Sequence, residues 1–250
     1  MTSNEITESA KATQELARTS RKGIEATERL GRFASKYINE PLEEVTGMLT
    51  DKLRFMRWER QVRLLERANK LIDERKIGNN HRTVPPKIAF PVIENASLEE
   101  DDFLQDLWAN LLVTSIDPKE KQPRSAYIDI IKQLEPLDVN ALRFIYLFYK
   151  NSYEGRKNIE QDDYFGKNCE FLGVHWDKII DSLNIDEIAY KVSIDNLMRL
   201  RLITPYFNSV GKGEGYKTVH HGYFIVCITP LGISFVKACM SAGKSEIPSR

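Results

Sequence analysis

Apolar residues recur every three or four positions along most of this chain, a spacing that predicts a mainly helical protein. The pattern is thin over residues 3–38, so we expect a helix there that is only weakly anchored. It strengthens from about Leu42 to Ile77 and stops at Gly78-Asn79-Asn80. The N-terminal part is therefore predicted to consist of long helices.

Two more helices are predicted over Ser125–Leu134 and Asp138–Lys150, separated at Pro136. The second is dense in large apolar side chains, which places it at the centre of a core. Residues 151–170 are polar and lack a sustained period, so they predict a linker or a long surface loop.

Between these regions, a proline-bounded segment leads into an acidic turn and then an apolar helix. Residues 85–86 and Pro91 predict an extended lead-in. Ser97 lies three residues before Glu100, the spacing of a capping box, so a helix is expected to begin at Ser97 and to stop near Pro118. The apolar positions of this helix are Leu104, Leu107, Trp108, Leu111 and Leu112.

The carboxylates of the acidic turn admit more than one interpretation. Glu99, Asp102 and Asp106 fall on one helical face and could converge on a divalent cation or act as catalytic acids. They could equally form a solvated helix start that the helix dipole stabilises, or pair with basic surface elsewhere. We prefer a solvated helix start or pairing with basic surface, because both account for these residues without a ligand.

Basic residues form a ridge on the helix that precedes this turn. Residues 51–87 hold 11 Lys or Arg against five Asp or Glu, whereas residues 88–106 hold six acids and no base. The ridge could contact a nucleic-acid backbone, or it could pair with the acidic helix within the chain or across a dimer; we favour a solvated or acid-paired face. Its members are Arg54, Arg57, Arg60, Arg63, Arg67 and Lys70.

The C-terminal part predicts a winged-helix-like α+β module. Short helices are expected over Trp176–Leu183 and Asp186–Lys191, followed by a third that Ser193 caps. A strand over residues 206–210, a glycine-rich turn at 211–215 and a returning strand near residues 223–228 predict a β-hairpin wing. Thr229 as cap and Pro230 at the first helical position begin a last helix.

A winged helix can place its third helix in the major groove of DNA, or can serve only to bind proteins. Residues 191–250 carry eight bases against three acids, a modest excess, so we favour a structural or protein-binding role. The possible contacts to nucleic acid or a partner are Asn196 and Arg199 on the helix, and Lys212 and Lys217 on the wing.

Composition narrows the class of protein further. A chain with 42% hydrophobic and 29% charged residues is expected to be soluble and ordered for most of its length, and 36 basic residues balance 36 acidic ones. Such neutrality argues against binding that depends mainly on phosphate neutralisation. Cys169, Cys227 and Cys239 match neither a zinc site nor a disulfide framework. We expect reduced, mostly buried thiols, no metal, no cofactor, no membrane span and a cytoplasmic location.

The predicted organisation has four parts. Long N-terminal helices occupy residues 1–80, a central helical core residues 81–151, a linker or surface loop residues 152–170, and the winged-helix-like module residues 171–250.

The region from about Leu53 to Leu147 resembles the abortive-infection alpha family of bacterial proteins. The matching motifs are RWERQ, RANKLIDERKI, VPPKIAFPVIENASLEED, LQDLWANLLVTSIDP and IIKQLEPLDVNALRFI, joined in the C-terminal part by LMRLRLI and ITPLG. The resemblance implies a cytoplasmic bacterial protein associated with defence against bacteriophage. It supplies no catalytic residues.

Because no catalytic motif accompanies this resemblance, the leading hypothesis is a non-enzymatic defence component that senses or relays infection through protein contacts, with a protein partner or a second copy. The alternative is a nucleic-acid-binding regulator that uses the basic helix over residues 52–76 and the C-terminal module. A third hypothesis is a hydrolase or nuclease that uses the acid cluster.

Overall fold

The computed structural model describes residues 24–25, 28–38, 55–154, 173–205, 207–210, 217–220 and 225–240. The chain divides into two compact units, Met1–Lys132 and Gln133–Arg250. The helices of the first unit are α1 (28–37), α2 (Phe55–Glu74), α3 (Pro86–Ala96), α4 (Asp102–Ile116) and α5 (Ala126–Ile131).

Helix α4 is the centre of the first unit, where it packs against α2, α3 and α5. Trp108 and nearly every residue from Leu104 to Ile116 are buried. A helix that is apolar all round lies inside a core, whereas an amphipathic one lies at its surface. The expectation that this segment forms a buried helix ending before Pro118 is confirmed.

The lead-in to α4 differs from the predicted extended segment. Pro86 occupies the first turn of α3, where its missing amide costs nothing, and Pro91 lies inside the same helix. Ser97 is the C-cap of α3, and its hydroxyl donates to the carbonyl oxygen of Glu94 at 2.6 Å. The prediction of a helix start at Ser97 is therefore wrong; Asp101 is the N-cap of α4.

The described part of the N-terminal helix is better anchored than its thin apolar stripe predicts. Phe33 and Tyr37 of α1 are buried, and the Val84 amide donates to the Tyr37 carbonyl oxygen at 2.9 Å. Residues 42–54 of the predicted Leu42–Ile77 helix lie outside the described residues, while α2 confirms the rest as far as Glu74. Gly78 has φ +57°, a left-handed conformation that glycine adopts without strain.

The second unit contains four helices and five strands in the described ranges. In chain order they are α6 (Pro136–Glu154), β1 (Val174–His175), α7 (Trp176–Leu183), α8 (Glu187–Arg199), β2 (Ile203–Pro205), β3 (Phe207–Val210), β4 (Lys217–His220), β5 (Ile225–Ile228) and α9 (Pro230–Cys239). Helix α6 packs against α7, α8, α9, β1 and β5, so its predicted place in a core is confirmed.

Three strands of this unit form a small antiparallel sheet in the order β1-β5-β2. Strand β5 is central: Val226 pairs with Val174 of β1 and with Pro205 of β2. Strands β3 and β4 form a separate two-stranded pair, in which Phe207 is opposite His220. The fold is thus mainly helical with a small C-terminal sheet, as predicted; the winged-helix assignment stays a prediction.

Two details of the C-terminal prediction are wrong. The helices expected over 186–191 and from Ser193 are one helix, α8, which Asp186 caps through 2.8 Å hydrogen bonds from the amides of Ile188 and Ala189. The strand near residues 223–228 does not return the hairpin; β4 does, and β5 enters the other sheet. Both errors arise because turn residues mark where elements end but not which elements pair.

The start of α9 is confirmed as predicted. The Thr229 hydroxyl oxygen accepts from the Gly232 amide at 3.0 Å and donates to the Arg201 carbonyl oxygen at 2.7 Å, with Pro230 at the first helical position. Gly232 lies so close to the loop before β2 that a Cβ atom there would be 2.1 Å from the Leu202 carbonyl oxygen. A glycine is therefore required at this approach.

Candidate functional site

The basic ridge and the acidic turn meet in the first unit, where α2 packs against α4. Asp101 caps α4 by accepting hydrogen bonds from the amides of Phe103 and Leu104, at 2.8 and 3.1 Å. This cap fixes the first two turns of α4, and Asp102 and Asp106 lie four residues apart, a spacing that places them on one face. The carboxylates of that face are aimed at α2.

Arg67 is the centre of the contact. Its guanidinium lies 2.5 Å from a carboxylate oxygen of Asp102 and 3.1 Å from one of Asp106, and it also donates to the Asp102 carbonyl oxygen at 2.7 Å. Its side chain is only 23% exposed. The carboxylates of Asp102 and Asp106 are more than half exposed, so solvent still screens both pairs.

Two further arginines extend the contact on one side. Arg60 pairs with Glu100 and donates to the Leu98 carbonyl oxygen at 3.3 Å. Arg63 is more exposed, at 42%, and its contacts with Asp102 and Glu59 are longer, at 3.6 and 3.9 Å. We call Arg60, Arg63 and Arg67 with Glu100, Asp102 and Asp106 the ionic seam. The predicted pairing of the basic and acidic helices is therefore confirmed within the chain.

Burial affects the protonation of one acid in the ionic seam. Desolvation raises the pKa of Asp106, and the positive charge of Arg67 opposes that shift. The nearby carboxylate of Asp102 adds to the increase. Arg67 therefore favours the ionised form of Asp106, against the desolvation that disfavours it.

Arg75 and Arg82 continue the contact beyond the ionic seam, and neither was among the predicted site residues. Arg75 donates to the side-chain oxygens of Asn110 and Thr114 at 2.8 and 3.0 Å, and desolvation lowers its pKa. Arg82 donates to the carbonyl oxygens of Thr114 and Ser115, both at 3.1 Å, at the C-terminal end of α4. Helix-terminal carbonyl groups carry no side-chain signal in a sequence, which is why this role was not predicted.

The acidic residues suggested as metal ligands have other partners. Glu99 accepts hydrogen bonds from the amides of Glu100 and Asp101, at 2.9 and 3.0 Å, while Asp102 and Asp106 face Arg67. In the ranges that the structure describes, no group of three or more His, Cys, Asp or Glu is arranged to hold a metal ion.

Behind the ionic seam, polar atoms are buried without partners. The Gln105 side chain donates to the carbonyl oxygens of Ala96 and Glu99, at 2.6 and 3.0 Å, but its own oxygen accepts nothing. The Nε2 of Gln61 on α2 and the indole Nε1 of Trp108 are likewise unpaired. Unpaired buried polar atoms cost stability, so the packing behind the ionic seam is less stable than a purely apolar core would be.

In the second unit, α8 uses its predicted contact residues to bind α6. The buried carboxylate of Asp138 accepts from the Ser193 hydroxyl at 2.7 Å and from the Asn196 amide at 2.6 Å. Asn196 also donates to the Gln133 carbonyl oxygen at 2.8 Å, and Arg199 donates to the side-chain oxygens of Gln133 and Asn196, at 2.7 and 2.6 Å. The structure brings Asn196 and Arg199 together, in a network at the start of α6.

The opposite face of α8 presents apolar side chains to solvent. Ile188 is 76% exposed and Val192 is 64% exposed, one helical turn apart. Beside them, Glu187 and Lys191 form an ion pair of 2.6 Å. We call Ile188, Val192, Glu187 and Lys191 the α8 patch. The sequence does not reveal this patch, because an exposed apolar residue has no pattern that distinguishes it from a core residue.

Among the remaining predicted residues, Lys70 is not joined to either cluster. Lys70 is exposed and lies 3.9 Å from Glu74 on its own helix. Arg54 and Lys212 lie outside the described residues, as do the glycine-rich turn, Cys169 and residues 155–170 of the predicted linker. Arg57 and Lys217 lie in α2 and β4.

Cys227 and Cys239 are both buried thiols, as expected. Burial raises the pKa of the Cys239 thiol well above its usual value, so this thiol is protonated at neutral pH. Among the described residues, no helix combines the length and the apolar character needed to cross a membrane.

Comparison with known proteins gives one match. The family model described as abortive infection alpha matches residues 59–239, which include the ionic seam, the Asp138 network and the α8 patch. Neither the curated proteins nor the solved structures include a significant match to the chain. The description of the family indicates a defence role of the abortive-infection type. A match over most of the sequence shows that the chain belongs to the abortive infection alpha family.

Proposed function

We propose that this protein is a non-enzymatic component of bacterial defence against bacteriophage that senses or relays infection through protein contacts. Membership of the abortive infection alpha family supports the defence role. The observation that carries the choice of mechanism is the ionic seam, because it commits the most distinctive charged residues of the sequence to holding α2 against α4.

The same contact bears on the nucleic-acid alternative. Arginines that bind DNA or RNA gain affinity by replacing counterions on phosphates. Arg60 and Arg67 already have carboxylate partners and are mostly buried, so phosphate contact would require breaking these pairs. In α8, Asn196 and Arg199 are similarly engaged with Asp138 and Gln133. Protein contact is favoured, because the α8 patch offers exposed apolar side chains.

Phage plating tests the defence role. Cells that produce the protein should show a lower efficiency of plating for at least one phage in a broad panel than cells carrying an empty vector. Equal plating across the panel would contradict the proposal. Growth of uninfected cells with and without the protein is the control, since general toxicity would also reduce plaque formation.

A gel-shift series over increasing salt tests the alternative function. The intact protein should show no retention of duplex DNA, single-stranded DNA or RNA that persists at physiological salt. The opposite result would be retention of nucleic acid that Lys70→Glu and Arg63→Glu weaken and make less dependent on salt. It would support a regulator that binds nucleic acid through the basic ridge. These two positions suit the test because both side chains are at least 42% exposed.

A further inference from the structure

The α8 patch combines exposure with a pattern of charge that complements itself. Ile188 and Val192 are the most exposed large apolar residues described in the second unit, and together they form one short stripe. Residues 190, 193, 194 and 197 on the other side of α8 are buried, which fixes the direction of the stripe towards solvent. Nothing within the described residues covers it.

Helical geometry places Glu187 and Lys191 together on one flank of this stripe. In an antiparallel pair of identical helices related by a two-fold axis, the same flank of each helix faces its counterpart, and each residue i that contacts j is matched by j contacting i. Glu187 and Lys191 are four positions apart, as are Ile188 and Val192. An axis near residues 189–190 therefore brings Glu187 of each copy opposite Lys191 of the other, and Ile188 opposite Val192.

We propose that the α8 patch is a self-association surface, which binds a second copy of this chain through an antiparallel α8–α8 contact. Charge complementarity selects the second copy, because the patch supplies both members of each ion pair and both apolar residues in matching spacing. Glu187 and Lys191 are paired within α8, but their side chains remain 58% and 47% exposed, so both can also face a second copy. Asp195 lies one turn beyond Lys191 on α8.

Two apolar side chains from each copy cover far less than the roughly 1,600 Å² of a standard protein interface. The contact is therefore weak and reversible, with association that depends on protein concentration. A weak contact of this kind suits a relay, because local clustering of the protein would populate it. The biological role assigned here rests on the proposed function, and it names the protein partner as a second copy.

Sedimentation velocity of the intact chain, from about 10 µM to about 1 mM, tests the association itself, since transient contacts have dissociation constants in this range. The wild-type protein should show a sedimentation coefficient that rises with concentration. The I188S/V192S variant should associate at least about ten-fold more weakly. F103S is the matched control, because Phe103 is 51% exposed in the first unit and its loss should leave the association unchanged.

A charge-exchange experiment tests the geometry and does not depend on the apolar variant folding. E187K makes the flank of the patch basic in both copies, and K191E makes it acidic in both, so each variant alone should associate about ten-fold more weakly than the wild type. An equimolar mixture of E187K and K191E should regain association to within a few-fold of the wild type, because opposite charges then face each other. Circular dichroism of each variant verifies that α8 remains folded.

Three results would overturn the proposal: a wild-type protein that stays monomeric up to about 1 mM, an association that I188S/V192S leaves unchanged, or a mixture of the charge variants that associates no better than either alone. Plating distinguishes these failures from failure of the proposed function. A monomeric protein that still protects cells overturns only the self-association, whereas a self-associating protein that protects against no phage overturns the defence role.

Discussion

Replacing Arg67 by alanine removes the centre of the ionic seam. Two ion pairs and one hydrogen bond to a carbonyl oxygen disappear, from a side chain that is only 23% exposed. The carboxylates of Asp102 and Asp106 are more than half exposed, so each pair contributes about 0.5–1 kcal/mol rather than the several kcal/mol of a fully buried pair. The hydrogen bond adds about 1 kcal/mol.

These contributions are not fully additive, because one guanidinium makes all three contacts. We expect the R67A substitution to destabilise the first unit by about 2 kcal/mol. For a unit of 132 residues, this free energy lowers the Tm by about 6–10 °C. Thermal unfolding followed by circular dichroism measures the change, and hydrogen exchange detected by mass spectrometry locates it to α2 and the first turns of α4.

Arg63→Ala is the matched control for Arg67→Ala. It removes a guanidinium from the same helix face, but from contacts of 3.6 and 3.9 Å at a side chain that is 42% exposed. The expected cost is at most about 0.5 kcal/mol, or about 2 °C in Tm. Equal losses for the two variants would show that Arg67 is an ordinary surface residue, and would refute the reasoning.

The effect of Arg67→Ala should also depend on pH. Burial raises the pKa of Asp106 in the folded protein. Protonation of Asp106 therefore stabilises the folded state, and ionisation destabilises it. Removing Arg67 raises this pKa further. As pH falls and Asp106 becomes protonated, the stability difference between R67A and the wild type should shrink. A difference that grows as pH falls from 7 to about 4 would contradict this account.

Three other substitutions test particular contacts. Asp101→Ala should cost about 1 kcal/mol by removing the cap of α4, and more than Ser97→Ala, in urea unfolding; the reverse order would support the capping box that the sequence predicts. Asp138→Ala should cost about 2–3 kcal/mol, because Ser193, Asn196 and the Glu135 amide lose a buried acceptor, and unchanged exchange of α8 amides would rule this out. Gly232→Ala should lower the Tm strongly, since its Cβ would meet the Leu202 carbonyl oxygen at 2.1 Å; a Tm equal to that of the wild type would show that this approach is not tight.

The sequence predicts the features that local chemistry specifies. Helix α6, the end of α4 before Pro118 and the Thr229-Pro230 start of α9 follow from apolar periodicity and capping residues. Segregation of bases and acids likewise predicts that α2 pairs with the acidic helix. The helix predictions succeed because each depends on residues within one or two turns. The pairing of α2 with α4 was predictable because a basic segment and an acidic segment follow each other closely in the chain.

The failures share a different physical cause. Proline at the first helical position and proline elsewhere have the same local signal, so residues 85–91 predict an extended segment where α3 forms. Ser97 can cap a helix, yet tertiary packing makes it the end of α3 and leaves the cap of α4 to Asp101. Strand pairing fails for a similar reason, because β5 pairs with β1 and β2 over long sequence separations that no turn signal encodes.

For the candidate site too, the sequence identifies some residues, whereas their contacts and exposure follow only from packing. Asn196 and Arg199 are identifiable as polar residues of α8, but their contacts with Gln133 span more than 60 positions in the sequence. The α8 patch is visible only in three dimensions, since exposure of Ile188 and Val192 depends on which face of α8 packs against α6. Sequence thus supplies the candidate residues, and packing decides which of them are available to a partner.

We infer that the protein acts through protein contact at the α8 patch and that the ionic seam stabilises its fold. The efficiency of phage plating on cells that produce I188S/V192S, compared with cells that produce Arg63→Glu at equal protein level, tests this most directly. We expect protection of the cells against phage to be lost with I188S/V192S and kept with Arg63→Glu. Protection that survives I188S/V192S and disappears with Arg63→Glu would contradict it, and would locate the functional surface on the basic ridge.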